Sequence, residues 1–248
     1  MLILDCDTDL DIKVVEDVVA KLKSIDIIPL LAVPGELLLR GSEVYRNLMN
    51  NGIEFLNHGF VQHTSVDAQR AHYTSSFFYD QLTREDVIED IRKGHETLVT
   101  EFGFHPTAFR TPHFGTFCKL EDLEFLHEVI SDLNYEFSTS STPGYFLKKG
   151  YFWKSKNSIW EIPVTGCPTW PLGIPDSYNF RFAPARKFSE SDYVHEVTKL
   201  SKFLVQKTVR RINIYVDPSQ VYDWPDFFKA MNNFRGYSIS KISDYIGE

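Results

Sequence analysis

Apolar and polar positions along the chain switch between two periods. Leu2–Cys6 is a short apolar run that ends in acids and reads as a buried strand. Val14, Val15, Val18, Val19 and Leu22 then recur at helical spacing across Val14–Lys23. Ile27–Val33 is apolar again and stops at Pro34-Gly35, a turn signal. A helix over Ser42–Asn50 closes at Asn51-Gly52 and leads into a strand at Ile53–Leu56. Thr83 followed by Asp86 resembles a capping box, which opens a long amphipathic helix over Arg84–Phe102, stopped at Gly103. Further strands are expected at Ala108–Arg110, Tyr135–Thr139, Ser158–Val164, Arg211–Val216 and Tyr237–Ser240. Helices are expected at Glu121–Leu133, Ser191–Lys207 and Trp224–Asn233.

Strands alternating with helices imply parallel βαβ units. About seven or eight such units point to a barrel rather than an open sheet, and barrels carry their chemistry at the C-terminal strand ends. The polar clusters fall at those ends. Asp5 and Asp7 follow the first strand, His58 and His63 the third, Arg110 the fourth and Asp217 the seventh. No repeat, low-complexity tract or linker interrupts the pattern, so residues 1–248 read as a single domain.

Charge narrows the function. Lys and Arg number 26 against 34 Asp and Glu, for a net charge of −8. This acidic balance argues against a nucleic-acid partner, which needs a basic face. No apolar window is long enough for a transmembrane helix. The start, MLILDCDTD, has neither the basic residues nor the apolar run of a signal peptide, so a cytoplasmic protein is expected. Cys6, Cys118 and Cys167 cannot pair fully and read as reduced thiols. Aromatic residues reach 15%, which serves a core or stacking surfaces equally well.

Several constellations carry candidate chemistry. Asp5, Asp7 and Asp9 alternate, so a continuing strand would put all three on one face, where a cation or a proton would have to separate them. A solvated acidic loop is the plain alternative. His58 and His63 could join a carboxylate in an open metal site. Their spacing of five does not share a helix face, so a loop or bulge must bring them together. Arg110 ends a strand before a tight turn and could hold a carboxylate, while His113 could line the pocket or pack against Phe114. Asp217 could be a site acid or a turn starter ahead of Pro218. Trp153, Trp160 and Trp170 are candidate stacking residues for a sugar face.

Taken in order, these segments resemble the NodB-homology polysaccharide deacetylases, carbohydrate esterase family four, over about residues 2 to 240. The resemblance implies an α/β fold: a distorted, incomplete (β/α) barrel of about seven parallel strands. It also implies one divalent metal, Zn²⁺ first and Co²⁺ or Fe²⁺ next, used to remove N- or O-acyl groups from sugars. Asp5 matches the family's general base and Asp7 its metal ligand. Asn57-His58 matches the start of the histidine motif, with His63 one residue late and Gln62 at the usual place. Arg110, Pro112, Phe114 and Gly115 match the motif whose Arg orients the base, with His113 inserted. Phe137–Ser141 supplies only hydroxyls where the family offers an acid, and Asp217 stands where the family has its general-acid His. His113 is the second candidate for that acid. The implied activity is a metallohydrolase acting on an acetyl or formyl group of a sugar or glycan precursor. Two other readings stand beside it: a catalytically impaired glycan-binding barrel, and a C–N hydrolase for a small non-sugar amide.

Overall fold

A computed structural model describes residues 1–67, 72–183 and 188–247. In chain order the elements are β1 (Leu2–Asp5), α1 (Asp9–Lys23), β2 (Leu30–Val33), α2 (Gly35–Arg40), α3 (Ser42–Asn50), β3 (Phe55–Asn57), β4 (Thr64–Asp67), β5 (His72–Ser75) and α4 (Arg84–Glu96). They continue with β6 (Ala108–Phe109), α5 (Leu120–Asp132), β7 (Phe137–Ser138), α6 (Pro143–Lys149), β8 (Trp153–Lys154) and β9 (Trp160–Glu161). The last are α7 (Ser177–Arg181), α8 (Glu190–Val205), β10 (Ile214–Val216), α9 (Pro218–Val221) and α10 (Pro225–Met231).

The main sheet runs β10-β1-β2-β3-β6-β7-β9-β8. Its first seven strands are parallel and β8 is antiparallel at the edge. The sheet curls into an incomplete barrel that does not close between β9 and β10. Pro163 has no N–H to extend a ladder there. Asn213 spans the gap instead. Its Nδ2 donates to the carbonyls of Ile162 (3.3 Å) and Pro163 (3.2 Å), and its carbonyl accepts from Thr165 N–H at 2.8 Å. β4 and β5 form a separate antiparallel hairpin directly after His63.

Strand alternation divides the core. Leu2, Leu4, Leu31, Val33 and Phe55 face outward to the helices, while Ile3, Leu30, Ala32, Leu56, Ala108, Phe137 and Ile162 fill the interior. Among the described residues no helix is long and apolar enough to cross a membrane. All three cysteines are free thiols.

Three expectations need correction. β1 stops at Asp5 because Thr8 caps α1, its N–H and Oγ1 donating to Asp11 Oδ2 at 2.8 and 2.7 Å. Asp9 is therefore exposed on α1 and pairs with Arg40 at 3.2 Å instead of sharing a face with Asp5 and Asp7. The long helix after Thr83 ends its α-helical part at Glu96 and finishes as a π turn over Thr97–Glu101. Thr97 and Thr100 hydroxyls donate back to the carbonyls of Lys93 and Glu96 there, a pattern that bends helices. Tyr237–Ser240 is not a strand; Ser238 Oγ, accepting from Ile28 N–H at 3.0 Å, is its side-chain tie to the barrel.

Candidate active site

Period-two alternation delivers the site residues to one end of the barrel. Ile3, Leu56, Ala108 and Tyr215 point inward, so Asp5, His58, Arg110 and Asp217, each two residues further on, keep that parity at the rim. There they meet residues from the strand-to-helix loops.

Asp7, His58 and His63 come together. Nε2 of His58 and of His63 lie 3.4 and 3.1 Å from Asp7 Oδ1, and the three donor atoms lie within 4.8 Å of one another. Asp7 Oδ1 and His63 Nε2 are buried and, their approach to the trio's own atoms aside, have no hydrogen-bond partner among the described residues. His58 Nδ1 sits 2.8 Å from the Arg110 carbonyl; as the donor in that bond it leaves Nε2 with a lone pair directed at the other two. Burial alone would raise the Asp7 carboxyl, but the imidazoles of His63 and His58 hold it well below the usual range. His63 is moved the other way: burial disfavours its charge, but Asp7 and Asp5 raise it. Two imidazole nitrogens and a carboxylate oxygen suit Zn²⁺, Co²⁺ or Fe²⁺, so these residues fit a divalent cation. Gln62 turns away, its Nε2 donating to the Thr64 and Asp7 carbonyls at 2.6 and 3.3 Å.

Beside this trio, Arg110 Nε contacts both oxygens of Asp5 at 2.7 and 2.9 Å, and Nη1 donates to Thr139 Oγ1 at 3.4 Å. The guanidinium lies 4.3 Å from the ring centres of Phe114 and Tyr215, which stack on each other at 5.2 Å. Burial pushes the Asp5 carboxyl up, against the pull of Arg110 and His58. The inserted His113 is absorbed by a left-handed backbone (φ 52°), which lets Phe114 reach Tyr215. His113 Nε2 is 2.8 Å from the Ser76 carbonyl, and its ring packs on Phe78 and edge-on to His63. Burial and the neighbouring His63 push it down to about 4, so it is neutral near pH 7.

Asp217 faces the same cleft. Burial, followed by Asp7, Asp11 and Asp5, raises its carboxyl well above the usual range. Gln220 Nε2 donates to its Oδ2 at 2.5 Å. Asp176, 2% exposed, also lines the cleft and is raised to about 6 by burial. The cleft measures about 290 Å³, and its aromatic walls are Tyr73, Phe78, Phe114, Tyr178 and Tyr215. These three tryptophans lie elsewhere: Trp153 stacks on Tyr145 and Trp170 on Phe188, while Trp160 meets Phe152 edge to face.

The sequence reading missed Asp176, for which spacing offers no signal. It also missed what Glu161 does. Glu161 Oε1 accepts from Ser140 N–H (2.8 Å), Ser141 N–H (2.9 Å) and Ser141 Oγ (2.8 Å), while Oε2 meets His127 Nε2 at 2.8 Å. The hydroxyl run Ser138–Ser141 is thus anchored by an acid from the next strand, which steadies Thr139 under Arg110.

No family model matches the sequence, and neither does any curated protein. Solved structures do match. One from Mycobacterium smegmatis, assigned as a polysaccharide deacetylase, aligns with a TM-score of 0.66 at 15% identity, covering 94% of this chain and 80% of that one. An allantoinase aligns with a TM-score of 0.63 at 13% identity, over 93% and 70% of the two chains. A CE4 family pseudoenzyme from Bacillus anthracis aligns at 0.58 and 12% identity, over 98% and 63%. The protein therefore has the NodB-type polysaccharide deacetylase fold of carbohydrate esterase family four.

Proposed function

We propose that the protein is a metal-dependent hydrolase that removes an acetyl or formyl group from nitrogen or oxygen of a sugar or glycan precursor. The observation that carries this reading is the convergence of Asp7, His58 and His63 beside the Asp5–Arg110 pair, with Asp217 facing the same cleft. Asp7, His58 and His63 would hold the divalent cation, Zn²⁺ first. When bound it supplies Lewis acidity to the acyl carbonyl and makes water a better nucleophile.

The chain's own residues carry the proton movements. Asp5 takes a proton from the attacking water, and its raised carboxyl suits it to that task. Arg110 fixes the orientation of Asp5 through two contacts and is itself fixed by Thr139, Phe114 and Tyr215. Asp217 gives a proton to the leaving atom, since its raised carboxyl stays protonated above the usual range. Gln220 occupies Oδ2 and so leaves Oδ1 for that proton. His113, neutral and tied to Ser76, shapes the pocket beside His63.

Size limits the substrate. The cleft, at about 290 Å³, sits at the bottom of the roughly 300–1,000 Å³ range of small-molecule pockets. It suits one acylated unit rather than a long polymer segment. The same size favours a second reading, a C–N hydrolase for a small non-sugar amide, for which the allantoinase likeness gives a precedent of fold.

Metal content of the purified protein tests the core of the proposal. One Zn²⁺, Co²⁺ or Fe²⁺ per chain, lost in Asp7→Ala and His58→Ala, supports it. No metal after reconstitution shifts the reading to a catalytically impaired, glycan-binding barrel; a CE4 family pseudoenzyme is among the solved structures of similar fold. Deacylation of N-acyl sugars against ureides then separates the two hydrolase readings.

A further inference from the structure

The two histidines of the trio are separated by one residue more than the resemblance leads one to expect, and the arc between them accommodates it. Six of its backbone groups have hydrogen-bond partners. Gly59 N–H donates to Asn57 Oδ1 at 3.1 Å. Phe60 and Val61 N–H both donate to Asp90 Oδ1, at 3.1 and 2.8 Å. Gln62 N–H donates to Glu36 Oε2 at 2.8 Å, while the Gly59 and Phe60 carbonyls accept from Gly35 and Glu36 N–H at 3.0 and 2.9 Å. Buried peptide groups need such partners, and here the arc takes them from α2 on one side and α4 on the other.

Asp90 is the side chain that α4 contributes. It is 3% exposed, and its second oxygen, Oδ2, accepts from Tyr79 Oη at 2.6 Å. The fit against Gly59 is tight. Gly59 has φ 75°, and a Cβ there would lie 2.1 Å from Asp90 Oδ2 and 2.8 Å from Tyr79 Oη. One turn further along α4, a Cβ on Gly94 would lie 2.3 Å from Asn57 Oδ1 and 2.6 Å from the Gly59 carbonyl oxygen. Helix and arc therefore meet backbone to backbone, with the Asp90 carboxylate as the polar contact that sets their register.

We infer that Asp90 is a positioning residue for the metal histidines: by receiving the Phe60 and Val61 N–H groups it folds the four-residue arc that brings His63 Nε2 to Asp7 and His58. It touches none of the three donor atoms and acts only through the backbone of the arc. This inference rests on the reading of Asp7, His58 and His63 as a metal site.

The test is metal affinity, read with a competing chromophoric chelator for Zn²⁺ and by the visible absorption of the Co²⁺-loaded protein. Asp90→Ala is expected to weaken Zn²⁺ binding about 10- to 100-fold, the range seen for outer partners of metal ligands, and to alter the Co²⁺ spectrum. Asp90→Asn keeps an acceptor for the two N–H groups and restores most of the affinity. Tyr79→Phe leaves those two bonds intact and binds like the parent. An Asp90→Ala protein with a lowered melting temperature but unchanged affinity and spectrum overturns the inference, because that is the signature of a merely structural contact. Should Asp90→Ala fail to fold, Gly59→Ala presses on the same contact with Asp90 from the arc's side, and unchanged affinity there overturns it equally. If the parent protein binds neither Zn²⁺ nor Co²⁺, the metal reading itself falls and this inference with it. Failure of the inference alone shows as a metal-binding parent with metal-binding variants.

Discussion

Replacing Arg110 by Met tests the buried pair at the centre of the site. Arg110 is fully buried and Asp5 is 4% exposed, with Nε–Oδ contacts of 2.7 and 2.9 Å. Met fills a similar space and keeps contact with the Phe114 and Tyr215 rings, so little packing is lost. What remains is a carboxylate without its partner, and removing one member of a buried pair costs about 3–5 kcal/mol. Protonation sets a ceiling. Neutralising a carboxyl of usual pKa 3.8 at pH 7 costs about 4 kcal/mol, at about 1.4 kcal/mol per unit. Once Asp5 is protonated in the folded variant and ionised in the unfolded chain, folding takes up a proton. The variant's deficit should then shrink as pH falls toward 4, by up to about 1.4 kcal/mol per unit. Urea unfolding of metal-free protein between pH 4.5 and 8 measures this. The double variant Asp5→Asn/Arg110→Met removes both charges and should lie within about 1 kcal/mol of the parent or above it. A deficit independent of pH, or a double variant as weak as the sum of the singles, would refute the reasoning.

Three other outcomes follow from the same contacts. Asp217 has a folded pKa above its unfolded 3.8, so it costs stability increasingly as pH rises through the folded value; Asp217→Asn should melt higher than the parent at pH 7 while turnover falls about 10²–10⁴-fold. A lower melting point or full activity would remove Asp217 from the acid role. Glu161 is the opposite case. Burial opposes its charge, yet His127 and the serine donors hold it below the usual 4.5, so its contribution is present above that pH and lost as pH falls through the folded value. Glu161→Gln should be destabilised at pH 7 and show a flatter acid limb in thermal melts from pH 2.5 to 7, and a parallel limb would count against the pair. Gly94→Ala gains about 1 kcal/mol of helix propensity but meets backbone that cannot move cheaply, an overpacking cost of about 1–3 kcal/mol. Calorimetry and zinc titration should show lower stability and weaker metal binding, whereas a stabilised variant would mean that α4 does not press on the arc.

Much of the fold and half of the site were legible in one dimension. Short, mostly apolar segments running into Asp5, His58, Arg110 and Asp217 mark parallel strands, and parity alone places those four side chains inside the rim. That inference needs only the period of a strand and holds wherever the strand is covered on both faces. The hairpin after His63 was not legible, because Thr64–Asp67 and His72–Ser75 are mostly polar and half-exposed and carry no apolar alternation. Nor was the end of the chain, where Tyr237–Ser240 has strand-like residues but pairs with no strand.

Tertiary structure decided the partnerships. Asp90 lies about thirty positions from the arc it holds, Glu161 twenty from the serines it anchors, and Arg110 105 from Asp5. The spacing of five between His58 and His63 requires a loop, and the loop takes its partners from Asp90 and the start of α2. Periodicity is a local property, set by how successive side chains leave one strand or helix. Which carboxylate meets which donor depends on how separate elements pack, and only there are burial, distance and charge fixed together.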